Sequence, residues 1–278
     1  MSLRSQIARR LPAPLKQKIR AWVCGTTAAP QEPDQEHPHP RACLRQGAQE
    51  GQPLTLCVVP GDIISDSLLI SGVWEPELTQ ALLEDAARGG LMVEVGANLG
   101  YFSLLWAAAH PDNRVQAFEP APRNLQLFWQ SIRDNQLQDR ISVFPVAAGP
   151  RLEVADFDSG PDAQTGWGGV VNNAATATSP SRVIVAPLDT LLAQVPFVDV
   201  LKIDVEGFDT QVLEGCHTLL AERRIGKIYF EQNHPRMQAL DIDPGQAQAL
   251  LTRQGYRTER LTGGGTDVEE WVAEPIAG

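Results

Sequence analysis

The sequence predicts an α/β protein built on a seven-stranded, mostly parallel sheet with helices on both faces. Between residues 91 and 253, continuous runs of Val, Ile, Leu and Phe alternate with segments of helical period. Such runs are typical of strands buried on both faces, and the intervening helices are the crossovers that parallel strands require. The last two predicted strands follow each other without a helix, which predicts an antiparallel strand at one edge of the sheet.

Residues 1–53 are predicted to lie outside this sheet. Residues 1–25 form a predicted basic arm, because they contain six basic residues, no acidic residue, and apolar residues spaced mostly at helical steps. Residues 26–53 are rich in Pro, Gln and Glu, a composition typical of a linker. The folded domain is therefore expected to span residues 54–278.

The first elements of this domain alternate less regularly than the later ones. Residues 54–59 predict a strand, and residues 66–72 predict a strand or a turn. Residues 75–90 predict a helix, with Pro76 near its first position and a pair of glycines at its end.

Strands and helices then alternate through the rest of the chain. Strands are predicted at LMVEV, RVQAFEP, ISVFPVAAG, VDVLKIDVEG, IGKIYFEQN, YRTERL and VEEWVAE. Helices are predicted at YFSLLWAAAH, RNLQLFWQSIRDNQ, TQVLEGCHTLLAER and GQAQALLTRQG. A polar, Gly-rich insertion at residues 152–181 separates the third strand from the fourth.

The composition argues against several classes of function. The chain has 278 residues, 43% of them hydrophobic, but no run of about 18 apolar residues that would span a membrane. Its net charge of −11 would repel a phosphate backbone, so no nucleic-acid substrate is expected. The four cysteines are scattered, which predicts reduced thiols and a cytoplasmic location. The basic arm leaves peripheral membrane contact open, although a solvated extension is favoured.

A glycine-rich loop follows the first of the seven strands. Gly96 and Gly100 bracket Asn98 directly after that strand, and glycine lets the backbone approach a ligand closely. In a doubly wound sheet, ligands bind beyond the carboxyl ends of the strands. Glu119 ends the second strand 23 residues after Gly96, where an acid can accept hydrogen bonds from ribose hydroxyls. The pattern predicts a site for a nucleoside cofactor.

Two features favour S-adenosylmethionine over a dinucleotide. The loop reads GANLG, one residue shorter than the G-x-G-x-x-G of dinucleotide folds, with Asn98 where a glycine is needed. Glu94 precedes the loop, and its carboxylate would oppose a pyrophosphate but could pair with the ammonium group of S-adenosylmethionine. Capping of loop N–H groups is the structural alternative for Glu94. An NAD-dependent oxidoreductase and a non-catalytic nucleoside-binding Rossmann module remain the alternative interpretations.

Five segments between Ser71 and Leu220 resemble the FkbM family of S-adenosylmethionine-dependent methyltransferases. They read SGVWEPEL, VEVGANLGYFSLLWA, RVQAFEPAPRNLQLF, VAPLDTLL and VDVLKIDVEGFDTQVLEGCHTLL, in that order. The resemblance implies a Rossmann-like class I methyltransferase fold. It also implies O-methylation of a hydroxyl on a small molecule, a sugar or a lipid.

The sequence departs from many class I methyltransferases at the end of the third strand. That strand end reads FPVAAG and lacks the acid that would bind the adenine amine. We therefore expect backbone groups around Val146 and Ala147, together with apolar packing, to hold adenine. Trp74 and Glu75, just before the first helix, are expected to close over the cofactor or else to pack that helix on the sheet.

Residues at two further strand ends are candidates for catalysis. Methyl transfer is an in-line displacement, so the protein must align the acceptor and, for an alcohol, receive its proton. Asp204 ends the fourth strand and is a candidate general base or ligand of the acceptor hydroxyl, with helix capping as its structural alternative. His234, after the fifth strand, is an alternative base because its neutral form exists near pH 7.

A metal site is the less favoured interpretation of the same strand ends. Asp204, Glu231 and Asn233 offer hard oxygen ligands that could bind Mg²⁺, but metal-free catalysis is favoured because acids at strand ends often satisfy backbone donors. Residues 166–173 predict a glycine-rich loop on the acceptor side or an inert edge hairpin. The sequence leaves a homodimer open and does not identify the acceptor.

Overall fold

The computed structural model describes residues 39–47, 52–161, 163–171, 175, 177–262 and 266–276, all within the compact unit His39–Gly278. The basic arm predicted at residues 1–25 lies outside the described residues. The strands are β1 Arg41–Cys43, β2 Thr55–Cys57, β3 Leu91–Val95, β4 Arg114–Phe118, β5 Ile141–Phe144, β6 Ala147–Ala148, β7 Glu153–Asp158, β8 Gly169–Val170, β9 Pro180–Ala186, β10 Val198–Ile203, β11 Ile225–Asn233, β12 Tyr256–Thr262 and β13 Val268–Pro275. The helices are α1 Ile63–Ser71, α2 Pro76–Ala86, α3 Tyr101–Ala109, α4 Pro122–Asp134, α5 Leu188–Leu191, α6 Asp209–Glu214, α7 His217–Ala221, α8 His234–Ala239 and α9 Gly245–Arg253, with a 3₁₀ turn at Thr165–Trp167.

The central sheet has seven strands in the order β12-β13-β11-β10-β3-β4-β5. β5, β4, β3, β10 and β11 pair in parallel, whereas β13 pairs antiparallel with both β11 and β12. The predicted seven-stranded, mostly parallel sheet is therefore confirmed. The antiparallel strand lies second from the edge, because β13 rather than β12 docks on β11.

The strand order reverses between β3 and β10. From β3 the chain adds β4 and β5 on one side, and it then returns to add β10 and β11 on the other. The loops after β3 and β10 therefore diverge from the sheet, which opens a crevice at the carboxyl ends of these strands.

Helices cover both faces of the sheet. Successive residues of β3 point to opposite faces, so Met92 belongs to one apolar core and Val93 to the other. The Met92 core includes Leu104 of α3, and the Val93 core includes Val212 of α6 and Leu251 of α9. None of the described helices is long and apolar enough to cross a membrane.

A short strand lies within the segment predicted as a linker. β1 pairs antiparallel with β2, and the side chains of Ala42 and Leu44 are buried in the Met92 core. The backbone N–H of Cys57 in β2 donates to Ser131 Oγ of α4 at 2.9 Å, which ties the pair to the domain. Among the described residues, the folded domain thus begins before residue 54. In the sequence, only two alternating apolar residues, Ala42 and Leu44, indicate this strand. The neighbouring Pro and Gln residues favour a linker, which is why the strand was not predicted.

The segment predicted as a strand or a turn at residues 66–72 is a helix, so that prediction was wrong. The caps of α1 explain the outcome. The Asp62 carboxylate accepts the backbone N–H of Ser65, and Gly72 closes the helix in the left-handed conformation with φ 71°. The capping Asp62 lies four residues before the segment that suggested a strand.

The polar insertion folds as a second, smaller sheet. Its strand order is β6-β9-β7-β8, with β6 and β9 parallel and the remaining pairs antiparallel. The helix predicted after β10 is divided at Gly215 and Cys216 into α6 and α7. Gly215 packs against the backbone of Gly149, where an added Cβ would lie 2.3 Å from the carbonyl oxygen.

Candidate active site

A cleft lies at the carboxyl ends of β3, β4, β10 and β11, where the strand order reverses. This position is the one that doubly wound sheets use for ligands. The cleft brings together several residues predicted from the sequence: Glu75, Gly96, Asn98, Glu119, Ala147, Asp204 and Glu231. Glu94, Gly100, Val146, Asn233 and His234 do not line it.

The loop after β3 is shaped by two glycines. Gly96 has φ 81°, and an added Cβ would lie 1.8 Å from the carbonyl oxygen of Asp204. Gly100 has φ 90° and starts α3, where an added Cβ would lie 2.0 Å from the ring of Phe128. Glycine is required at both positions, because the backbone conformation and the close packing each exclude a side chain.

Glu119 fixes this loop from the end of β4. Its carboxylate accepts the backbone N–H of Asn98 and the backbone N–H of Ala121, both at 2.8 Å. Burial raises the pKa of Glu119 to about 7, although the two N–H donors oppose that effect. The Asn124 side chain also donates to this carboxylate, so one of its about four acceptor positions remains for a ligand in the cleft.

Glu94 lies beneath the loop rather than in the cleft. It is 1% exposed, accepts a short hydrogen bond from Ser103 Oγ of α3, and lies 4.0 Å from Lys202 Nζ. Burial raises its pKa to about 7, against the attraction of Lys202. Glu94 therefore links β3 to α3, and the structure does not bring it to a ligand's ammonium group directly.

Lys202 is a functional candidate that the sequence reasoning missed. It lies in β10, is 2% exposed, and stacks over the ring of Phe102 at 4.6 Å. Its Nζ lies 3.1 Å from Asp204 Oδ2. Burial disfavours its charge, but nearby carboxylates, chiefly Asp204 and Glu94, raise the pKa of Lys202 above its usual value. The sequence does contain a signal for this residue, a lysine within a strand that is buried on both faces. A buried lysine needs an acidic partner.

Three glutamates meet on the β11 side of the cleft. Glu75, Glu231 and Glu270, called the acidic cluster below, each place a carboxylate oxygen within 4.8 Å of the others. Burial is the main cause that raises the pKa of Glu75 to about 8, that of Glu270 to about 7, and that of Glu231 well above its usual value. Glu270 was not predicted as a site residue. It reaches the cluster only because β13 docks on β11, where it pairs with Glu231.

The insertion contributes a wall of the cleft, residues 163–171. The Asp62 carboxylate holds this wall by accepting the backbone N–H of Thr165 at 2.9 Å and its hydroxyl at 3.1 Å. Asn124 Nδ2 donates to the carbonyl oxygen of Thr165 at 3.1 Å, and Arg123 donates to that of Pro161 at 2.9 Å. The glycine-rich stretch predicted at residues 166–173 thus lines the cleft over its described part.

Apolar residues line the β5 side of the cleft. They are Phe118, Ala147, Ala148, Phe157, Val170 and Phe208. Val146, predicted with Ala147, is buried outside the lining, and its backbone N–H donates to the Phe144 carbonyl oxygen. Phe157 and Phe208 were not predicted, because Phe157 comes from the insertion and Phe208 from the turn after β10.

The structure does not bring His234 to Asp204. His234 begins α8, its backbone N–H donates to the Asp267 carbonyl oxygen, and its Nε2 lies 3.7 Å from Glu269 in a separate shallow groove. Asn233 does not join a metal trio either. Its side chain caps α8 and donates to Glu206 Oε2 at 3.0 Å. Helix α8 begins directly after β11, and it directs the side chains of Asn233 and His234 away from the carboxyl end of that strand.

Comparison with known proteins places these features in a family. The FkbM methyltransferase domain matches residues 94–258, more than half of the chain. A search of the curated proteins finds no match. Among solved structures, the FkbM methyltransferase from Methylobacillus flagellatus KT is 19% identical with a TM-score of 0.47, and the match covers 67% of this chain and 43% of that one. The precorrin-6y C5,15-methyltransferase from Geobacter metallireducens GS-15 is 14% identical with a TM-score of 0.44, over 73% and 90% of the two chains.

The family match confirms the resemblance found in the sequence. The chain spans less than half the length of the Methylobacillus protein, so that protein's remaining segments have no counterpart in the match. The matched residues 94–258 run from the end of β3 into β12 and contain the glycine loop, Glu119 and Asp204. The chain belongs to the FkbM family of methyltransferases, enzymes that take their methyl group from S-adenosylmethionine.

Proposed function

We propose that this protein transfers the methyl group of S-adenosylmethionine to a hydroxyl oxygen of a small-molecule, sugar or lipid-linked acceptor. The observation that carries the proposal is the meeting of Glu119 and Asp204 in one cleft, on either side of the Gly96 loop. Glu119 suits the ribose of the cofactor, and Asp204 suits a hydroxyl that must lose a proton. Family membership supports methyl transfer in general.

Residues along the cleft support S-adenosylmethionine as the cofactor. Glu119 keeps an acceptor position for the ribose. Among the described residues, Asn98 Oδ1 is buried without a hydrogen-bond partner, in the loop that would hold the methionine portion. Ala147 and Phe157 offer an apolar slot for adenine. The segment at the end of β5, residues 144–149, contains no acidic side chain. Glu75 and Trp74 line the cleft at the start of α2, as expected for residues that close over the cofactor.

The acidic lining of the cleft favours S-adenosylmethionine over a dinucleotide. The cleft is lined by Glu75, Glu119, Asp204, Glu206 and Glu231, and no lysine or arginine lines it among the described residues. A pyrophosphate would be repelled by these carboxylates, whereas the sulfonium and ammonium groups of S-adenosylmethionine are attracted. The NAD-dependent alternative therefore loses support.

Asp204 is the proposed general base. Lys202 holds Oδ2 of Asp204 at 3.1 Å, and Oδ1 has no hydrogen-bond partner among the described residues, so it remains for an acceptor hydroxyl. When bound, S-adenosylmethionine supplies an electrophilic methyl group. The hydroxyl oxygen attacks that methyl group in line, and Oδ1 takes the hydroxyl proton as the new bond forms. Lys202 balances the charge of the carboxylate before the proton arrives.

Labelled methyl transfer into extracted metabolites tests the proposal. The wild-type protein should label an acceptor whose product carries the new methyl group as a methyl ether. Asp204→Asn should lower the rate by about 10²- to 10⁴-fold, the usual contribution of a general base, while affinity for S-adenosylhomocysteine stays unchanged. Binding of NADH without binding of S-adenosylhomocysteine would refute the proposal.

The acceptor's location is a separate part of the proposal. The basic arm, residues 1–25, carries six positive charges that suit an anionic membrane, where a lipid-linked acceptor would lie. Full-length protein should sediment with anionic vesicles at low salt, and protein without residues 1–38 should not. Equal sedimentation of both forms would exclude the arm as an anchor, and light scattering of the same samples would report whether the protein is a homodimer.

A further inference from the structure

Two buried acids face each other across neighbouring strands. Glu231 of β11 and Glu270 of β13 are directly opposite in the antiparallel register. Their side chains are only 9% and 8% exposed. Like charges directly opposite in an antiparallel pair are destabilising, and burial removes the water that would screen them. The arrangement is therefore stable only when the acids are protonated or when a positive charge compensates them.

No protein group in the described residues supplies that charge by contact. Neither the Glu231 nor the Glu270 carboxylate has a hydrogen bond or an ion pair there, and Glu75 Oε2 is buried without a partner. The nearby cation, Lys202, instead contacts Asp204 at 3.1 Å and Glu94 at 4.0 Å. The Trp74 side chain donates a hydrogen bond to the Glu75 carboxylate, so only Oε2 of Glu75 is unpaired. Buried polar groups in native proteins are nearly always paired, so the meeting of this oxygen with the carboxylates of Glu231 and Glu270 indicates a missing ligand.

The spacing of the three carboxylates suits a metal ion. One oxygen from each lies within 4.8 Å of the other two. Oxygens bound to a hard divalent cation at about 2.0–2.6 Å are separated by at most about 4–5 Å, twice the bond length. The ligands come from the start of α2 and from two paired strands, which fixes two of them rigidly. Oxygen-only ligands select Mg²⁺, Mn²⁺ or Ca²⁺ over softer metals.

We propose that the acidic cluster of Glu75, Glu231 and Glu270 binds a hard divalent cation, Mg²⁺, Mn²⁺ or Ca²⁺, beside the proposed acceptor site. Three protein ligands leave positions for water, which acceptor hydroxyls can replace. The metal site stands on its own geometry, and its role in positioning the acceptor rests on the proposed function. It differs from the trio predicted from the sequence, because Asp204 contacts Lys202 and Asn233 caps α8.

Titration of the full-length, metal-free protein with Mn²⁺ tests this proposal. Calorimetry and the electron paramagnetic resonance of free Mn²⁺ should both report one saturable site per chain. Glu270→Gln should weaken Mn²⁺ binding on the order of 10-fold or more, since it removes one ligand charge. Glu259→Gln, at an exposed position on β12, is the matched control and should bind Mn²⁺ like the wild type.

Two further measurements keep the result unambiguous. In a chelator, Glu270→Gln should melt at or above the wild-type temperature, because it removes a like-charge pair; if it misfolds, Glu231→Gln serves instead. S-adenosylhomocysteine should bind with and without Mn²⁺.

Absence of saturable Mn²⁺ binding, or equal binding by Glu270→Gln and wild type, would overturn the metal proposal alone. Displacement of Mn²⁺ by S-adenosylmethionine would assign the cluster to the cofactor's ammonium group and also overturn it.

Discussion

Replacement of Glu119 by Ala is expected to separate the cofactor contacts of this side chain from its structural contacts. The carboxylate accepts two backbone N–H groups at 2.8 Å, from Asn98 and Ala121, so the variant loses anchors of the loop as well as partners of the ribose. Hydrogen bonds to a charged group contribute about 1.5–3 kcal/mol. We therefore expect S-adenosylhomocysteine to bind about 10- to 150-fold more weakly.

A second ligand isolates the ribose contact. Calorimetry would compare S-adenosylhomocysteine with its 2′-deoxy analogue on the wild type and on Glu119→Ala. If Glu119 binds the 2′-hydroxyl, the wild type should prefer the natural ligand and the variant should lose most of that preference. Glu214→Ala, an exposed position on α6, is the control and should keep the wild-type preference.

Two outcomes would refute this reasoning. An undiminished preference for the 2′-hydroxyl in Glu119→Ala would remove Glu119 from the ribose. Weaker binding of both ligands by the same factor, together with a lower melting temperature, would show that Glu119 acts only by holding the loop.

Three further predictions address the loop, the buried acids and the first strand. Gly96→Ala should abolish binding of S-adenosylhomocysteine, since its Cβ would lie 1.8 Å from a carbonyl oxygen; near-normal affinity by calorimetry would contradict this. Titration of Glu94 and Glu119 alone should lower the unfolding free energy of the ligand-free protein by on the order of 3 kcal/mol between pH 6 and pH 9, and the other buried acids with a raised pKa add to this loss. Burial raises the pKa of Glu94 and Glu119 to about 7, so their stabilising protonated forms are lost as the pH rises through that value; equal urea midpoints at both pH values would argue against it. Deleting residues 1–38 should leave the melting temperature unchanged, whereas deleting residues 1–50 should lower it by about 5–10 °C, because buried side chains of β1 and the residue after it are lost.

The parts of the site that the sequence predicted are local in the chain. The loop from Gly96 to Gly100 and the acid Glu119 follow directly from strand ends whose apolar runs are unmistakable, and the family match contains both. Asp204 was found for the same reason. A strand end can be located from its own few residues, because the pattern of burial changes there.

The parts that the sequence missed depend on contacts between distant segments. Glu270 joins the acidic cluster only through the pairing of β13 with β11, and a hydrophobic pattern does not say which neighbour a strand will pair with. Asp62 holds Thr165 across 103 residues of chain, which no local pattern encodes. His234 was placed at the cleft because it follows a strand end, but the helix that starts at this residue redirects its side chain.

The antiparallel direction of β13 also has a consequence for synthesis of the protein on the ribosome. Because β13 runs against its neighbours, its first residues lie at the carboxyl ends of the parallel strands, and Glu270 reaches the cleft from there. The nascent chain can assemble β3, β4, β5 and β10 while β13 is still unmade, but the acidic cluster remains incomplete until that strand has left the exit tunnel and inserted between β11 and β12. A ribosome-bound chain stalled before residue 268 could therefore fold the cofactor side of its cleft and still lack the third carboxylate on the other side.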